Sequence, residues 1–282
     1  MQICGRDFTP AEIDWINQKV QIYPDLNRVQ LSRLFCQHID WTTPGGGLKE
    51  MSCRVALLRL EKSGLIRLPA VQKKVSRITK VCCSAKGEPQ PPIRIAAGKI
   101  RLCLEPVKRK TAPLFNELIQ RYHYLGYSRM CGAQMRFFVR AGKHLVALLG
   151  FSAAAWRVAG RDRFIGWSDA QRKTHLHRVI SNSRFLILPW VECKNLASRI
   201  LAHAARHLPE FWQQRYGYKP WLIETFVEKQ RFAGTCYKAA NWICVGDTLG
   251  RGKWDRQNQF GKPIKSIWLY PLDRRYKERI CR

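Results

Sequence analysis

The sequence is poor in acid. Asp and Glu number 20 against 50 Lys and Arg in 282 residues, a formal net charge of +30. Such self-repulsion opposes a compact state unless a polyanion neutralises it, and nucleic acid, double- or single-stranded, is the expected partner. Metal-binding spacing is lacking too. No two of the 11 cysteines stand three residues apart, which excludes a zinc knuckle of the usual kind. Cys103, Cys236 and Cys244 sit in apolar runs, where a reduced thiol acts as a small hydrophobe and points to a reducing compartment. No apolar run approaches the roughly 18 residues a membrane span needs, and Met1 to Asp7 carries no apolar leader, so a cytoplasmic chain off the membrane is expected. His203 and His207 stand four apart without the acid of an H-E-x-x-H motif. Asp169, Glu224 or Glu228, and Asp247 are the only trio for a three-acid nuclease, and their spacing does not support one. No metal site is expected.

What is present suffices for a core: the hydrophobic fraction is 46%. Residues 1–69 read as a small helical domain. Thr9-Pro-Ala-Glu12 starts a helix with Ile13, Ile16 and Val20 on one face, and Asn27 to Gln30 starts a second with Leu31, Leu34, Phe35 and Ile39 spaced for burial. A third, Leu48 to Lys62, is expected to bury Met51, Val55 and Leu58 and to present Lys49, Arg54, Arg59 and Lys62 to DNA, with Leu65 to Pro69 as a wing strand. Three helices and a strand fit a winged helix-turn-helix. Residues 70–101, with Lys73 and Lys74 among many bases and a Pro cluster at 89–92, read as a basic linker.

Residues 102–282 alternate strands and helices. A strand from Ile100, a helix from Thr111 and a hairpin over Gln134 to Trp156 lead to a strand at Ser183 to Leu188 and a helix at Asn195 to Leu208. Strands follow at Trp221 to Val227, Trp242 to Val245 and Ser266 to Leu272, with a short helix after Phe232-Ala-Gly234. This is a mixed sheet with helices on its faces, an α/β or α+β domain. His123 is a candidate general base, since imidazole titrates near neutrality. Glu224 and Glu228 share a strand face and, with Thr225, form a second candidate group, although each acid is better read as an Arg partner in so basic a chain. Tyr237 and Asn241 offer uncharged hydrogen-bonding groups. Arg251 and Lys253 beside Gly250 and Gly252 are candidate phosphate contacts. Trp156, Trp167, Trp190, Trp242 and Trp254, interleaved with arginines, are candidate base-stacking groups, most of them core.

The element order of the larger domain resembles that of the GNAT superfamily of acyl-CoA N-acyltransferases. The resemblance implies a cofactor such as acetyl-CoA held at the start of the helix after the fourth strand, here Trp190, Lys194, Ala197 and Ser198, although the family's glycine-containing loop is not matched there. Longer words also carry a resemblance: Arg121-Tyr-His-Tyr-Leu-Gly126, Ser183-Arg-Phe-Leu-Ile-Leu-Pro189, Glu224-Thr-Phe-Val227, Gly234 to Trp242 and Gly246 to Gly252 are similar to the Druantia anti-phage DruA family. That resemblance implies a DNA-binding role in antiviral defence beside other defence proteins, with transposase-associated relatives. Two other readings stay open: a CoA-dependent group transferase, and a non-catalytic DNA-binding accessory of a mobile element.

Overall fold

The computed structural model describes residues 2–70, 81–96, 98, 100–251 and 261–281. The chain divides into two compact units, Met1–Thr79 and Lys80–Arg282.

In the first unit, β1 (Gln2–Ile3) and β2 (Arg6–Asp7) form a two-stranded ribbon ahead of α1 (Pro10–Ile22), α2 (Arg28–His38) and α3 (Glu50–Lys62). Both predicted helix starts form capping boxes, Thr9 with Glu12 and Asn27 with Gln30, so each satisfies amides that the first turn leaves orphaned. Ile16, Leu31 and Phe35 enter the core as expected, whereas Leu34 is exposed. The third helix turns the other way from the expectation. Cys53, Ala56, Leu57 and Leu60 are buried, while Met51, Val55 and Leu58 face solvent. Small side chains at Cys53 and Ala56 occupy the core side of the helix, and a reading that follows only large apolar residues misses them. The expected wing is absent as a strand. Leu65 to Pro69 is irregular, burying Ile66 and Leu68, and is tied down by Asn17 Nδ2 to Leu65 O (3.2 Å) and Arg28 Nε to Pro69 O (2.8 Å).

From residue 81 on, the stretch read as a linker is part of the second unit. Ser84 donates from its N–H and its Oγ, both at 2.7 Å, to the Glu117 carboxylate. Further on, β3 (Ile93–Arg94) pairs in parallel with β8 (Val191–Glu192).

The second unit is a seven-stranded mixed sheet. Its strands are β4 (Leu102–Pro106), β5 (Gln134–Ala141), β6 (His144–Ala153), β7 (Val179–Ile187), β9 (Leu222–Glu228), β10 (Ile243–Asp247) and β11 (Lys265–Pro271), in the spatial order β10-β11-β9-β7-β6-β5-β4. Every neighbouring pair is antiparallel except β7 and β9. The predicted chain order is therefore observed, with further short elements inserted, among them α5 (Ala159–Ile165), β8 and α9 (Tyr276–Ile280). Side chains alternate between two cores. Phe137, Leu149, Ile223 and Val227 pack under α7 (Leu196–Tyr216) and α8 (Thr235–Ala239), while Phe138, Leu148 and Leu186 meet α4 (Ala112–Tyr122). On that second face, Val179 and Leu222 pack with α5 and α9, next to α6 (Asp169–His175). The predicted helix at Asn195 to Leu208 runs eight residues further, straight through Pro209. A proline inside a helix costs about 3 kcal/mol. The fully buried Trp212 one turn later continues the apolar stripe of Leu201, Ala204 and Leu208 and offsets that loss.

Candidate functional site

The parallel pair β7–β9 is in register only at Val179↔Leu222, Ile180↔Ile223 and Ser181↔Glu224, after which both strands continue apart. The wedge between them holds a pocket of about 600 Å³, the size of a small-ligand site. Its walls come from three separate segments: Tyr122 to Leu125 at the end of α4, Asn182, Ser183 and Phe185 to Ile187 on β7, and Thr225 to Val227 with Arg231 to Tyr237 across β9 and α8.

The apex is polar and closed. The β6–β7 ladder slips between Gly150 and Phe151, leaving Ser183 as an extra residue on β7, a bulge of the kind that re-aims side chains. Asn182 fills that bulge, donating from Nδ2 to Gly150 O (3.3 Å) and Arg184 O (3.1 Å). Its own carbonyl accepts from Thr225 Oγ1 at 3.0 Å, and its Oδ1 accepts from the Tyr237 hydroxyl at 3.3 Å. Burial pushes the Tyr237 phenol upward, so it stays protonated and donates near neutral pH. Gly234 is fixed at the start of α8 by shape. It has φ +72°, and a Cβ there would lie 2.6 Å from the Trp268 ring.

At the mouth, His123 stacks on Tyr124, Tyr124 meets Phe232 edge-on at 5.3 Å, and the Arg231 guanidinium lies 4.9 Å from the Tyr124 ring centre. Phe232 and Leu125 are exposed. Burial and the charge of Arg184 lower His123 to about 4, so the imidazole is neutral at pH 7. Its Nδ1 accepts the Leu125 N–H at 3.2 Å, which places the ring proton on Nε2. Nε2 is thereby left as a neutral donor, while Nδ1, the lone pair that a general base would use, is engaged by the backbone. Arg184 and Arg231 form no ion pair with a carboxylate among the described residues, so the mouth is cationic as well as aromatic.

Three of the six residues read as catalytic, His123, Thr225 and Tyr237, meet in this pocket. The others do not. Glu224 points to the opposite face, fully buried, where it accepts from Arg161 Nη1 (2.7 Å) and Ala155 N (2.9 Å). It is an arginine partner, the reading that the chain's charge favoured. Glu228 closes β9, buried outside the lining residues, and Asn241 is exposed with φ +61° in the turn after α8. None of the four residues read as holding a cofactor lines the pocket. Trp190 packs edge-on against Tyr122 under α4, Lys194 is exposed, and Ala197 and Ser198 begin α7. The turn that carries them folds back instead into β8, held by Ile93 N to Trp190 O (2.7 Å) and Ile95 N to Glu192 O (3.0 Å).

Of the residues read as contacting nucleic acid, Arg59, Lys62 and Arg251 are exposed, and Lys49 and Arg54 are half-buried, Arg54 against Met51 Sδ. Lys73, Lys74 and Lys253 lie outside the described residues, as does Trp254. Sequence reasoning missed Asn182, Ser183, Tyr124, Arg231 and Phe232. The family words contained Ser183, Tyr124 and their neighbours, but without a role. Among the described residues no cluster of His, Cys, Asp and Glu is suited to a metal ion, and no helix is long and apolar enough to cross a membrane.

The model of the family described as Druantia protein DruA matches residues 59–274. The chain belongs to that family. The match takes in the whole wedge and all of its walls, together with the last turn of α3. No curated protein matches the chain. Among solved structures, it is similar to a spermidine N-acetyltransferase chimera of Vibrio cholerae and human sequences, with 13% identity over 61% of this chain and 95% of that one and a TM-score of 0.42. It is also similar to the ribosomal-protein-S18-alanine N-acetyltransferase of Escherichia coli (10% identity, 61% and 95% covered, TM-score 0.38). A third is an aminoglycoside acetyltransferase in complex with coenzyme A (12% identity, 64% and 98% covered, TM-score 0.39).

Proposed function

We propose that this DruA-family chain is a nucleic-acid-binding protein of antiviral defence, acting with other defence proteins, and that its wedge receives a planar group of the bound strand. The observation that carries the reading is the mouth of the wedge. Tyr124, Phe232 and Arg231 offer π faces and a cation, and His123 offers a neutral donor to base oxygens or nitrogens. The surrounding charge of +30 supplies the phosphate affinity. Binding of labelled single-stranded and duplex DNA should fall steeply as salt rises, since each neutralised phosphate releases counterions. A flat response to salt would sink the phosphate-contact reading.

A second reading, transfer of an acyl group from a CoA-type cofactor, is favoured by the apex. The diverging parallel strands leave backbone edges unpaired, the bulge at Ser183 stands beside them, and Tyr237 holds a proton that a leaving group could take. Thermal shift with acetyl-CoA separates the two readings. No shift at millimolar cofactor removes the second and leaves the first intact.

A further inference from the structure

Among the described tryptophans, six are buried and Trp15 and Trp221 are not exposed either, yet Trp156 keeps 56% of its surface in solvent. It stands in the loop between β6 and α5, away from the residues that line the wedge. That loop is not loose. The residue before it, Ala155, gives its N–H to Glu224 and its carbonyl to Arg161 Nη1 at 2.8 Å, and the Trp156 carbonyl faces Arg161 Nη2 at 3.4 Å. Arg161 and Glu224 are both fully buried, and Arg161 Nε also donates to Asp162 Oδ1 at 2.8 Å. Two buried charges are tolerated only when every hydrogen bond is in place, so the network holds the backbone beneath the indole in one position.

The ring itself is backed by the Arg172 guanidinium, 5.6 Å from its centre. Arg157 beside it in the loop, Arg163 on α5 and Lys173 on α6 are exposed, and the exposed acid Asp169 is shared by Arg157 and Arg172. An aromatic face held still, with cations beside it, lowers the ordering penalty of binding a flat, negatively charged chain.

We propose that Trp156, supported by Arg172 and flanked by Arg157 and Arg163, is a second contact for single-stranded nucleic acid, with an unpaired base stacked on the indole and neighbouring phosphates on the guanidinium groups. The inference rests on the nucleic-acid reading of the chain but not on what enters the wedge. Bases in a duplex are already stacked, so the contact selects single strands.

The test uses the full chain, a labelled oligothymidylate and a labelled duplex. Trp156→Ala should weaken single-strand binding about tenfold, and Trp156→Phe less than about threefold, with duplex binding and the melting temperature unchanged. Asp169→Asn, which releases Arg157, should tighten single-strand binding. Equal affinity of Trp156→Ala and the parent for the single strand overturns the proposal and assigns the patch to a protein contact; equal loss on both DNAs overturns its selectivity for single strands. If the parent chain binds neither DNA, the nucleic-acid reading fails as a whole.

Discussion

Replacing Glu224 by Ala tests whether this buried acid holds the fold or serves chemistry. The substitution strips Arg161 of one of two carboxylates and leaves the Ala155 N–H without its acceptor. Removing one partner of a buried pair destabilises by about 3–5 kcal/mol. Asp162 stays on Arg161 Nε and Nη2, so the guanidinium is not stranded, and the low end, about 3 kcal/mol, is expected. For a unit of this size that lowers the melting temperature by about 10 °C. Urea unfolding followed by tryptophan fluorescence reads the loss directly. Changing both partners, Arg161→Met with Glu224→Leu, should recover much of it, because no isolated charge is then left in the core. A single-variant loss below about 1 kcal/mol, or a stable Glu224→Gln protein that has lost ligand binding in the wedge, would refute the structural role assigned here.

Gly87→Ala should destabilise by about 2 kcal/mol, since the added Cβ would sit 2.2 Å from Glu117 Oε1, and Ser84 and Arg121 hold that carboxylate in place. Faster tryptic cleavage at Lys86 or Arg94 in the variant checks it, and unchanged cleavage contradicts it. His123 and His177, both lowered by burial to about 4 from 6.5, make stability depend on pH. Between those values the unfolded chain takes up protons that the folded one refuses, so stability is level above pH 7 and falls as pH drops from about 6.5 toward 4. His123→Gln should flatten part of that slope in urea titrations at several pH values.

The strands of the second unit were legible because each is a short apolar run between turn residues, and their order followed from the chain. Local sequence was a poorer guide wherever a distant partner decides. The Pro-rich segment at 89–92 suggested an extended linker, yet Ser84 and Ile93 on either side of it are held by Glu117 and the Trp190 carbonyl, 33 and 97 residues further along the chain. Local spacing on α3 pointed to Met51, Val55 and Leu58, since cysteine and alanine add little to an apolar pattern, but Cys53 and Ala56 are what the core side holds. The pocket was half legible. His123, Thr225 and Tyr237 stood out by chemistry, whereas Asn182 matters because of a ladder slip that no spacing reveals.

The seven-stranded sheet is less a single plate than two leaves joined along a short spine of three residue pairs. Beyond the spine, two side-chain bonds among the described residues cross the gap, from Thr225 and Tyr237, and both end on Asn182. A guest in the wedge would therefore act as a keystone, fixing the angle between the leaves and making their opening a single cooperative event. Occupancy is legible far from the guest, in how slowly the backbone amides of β7 and β9 exchange with solvent.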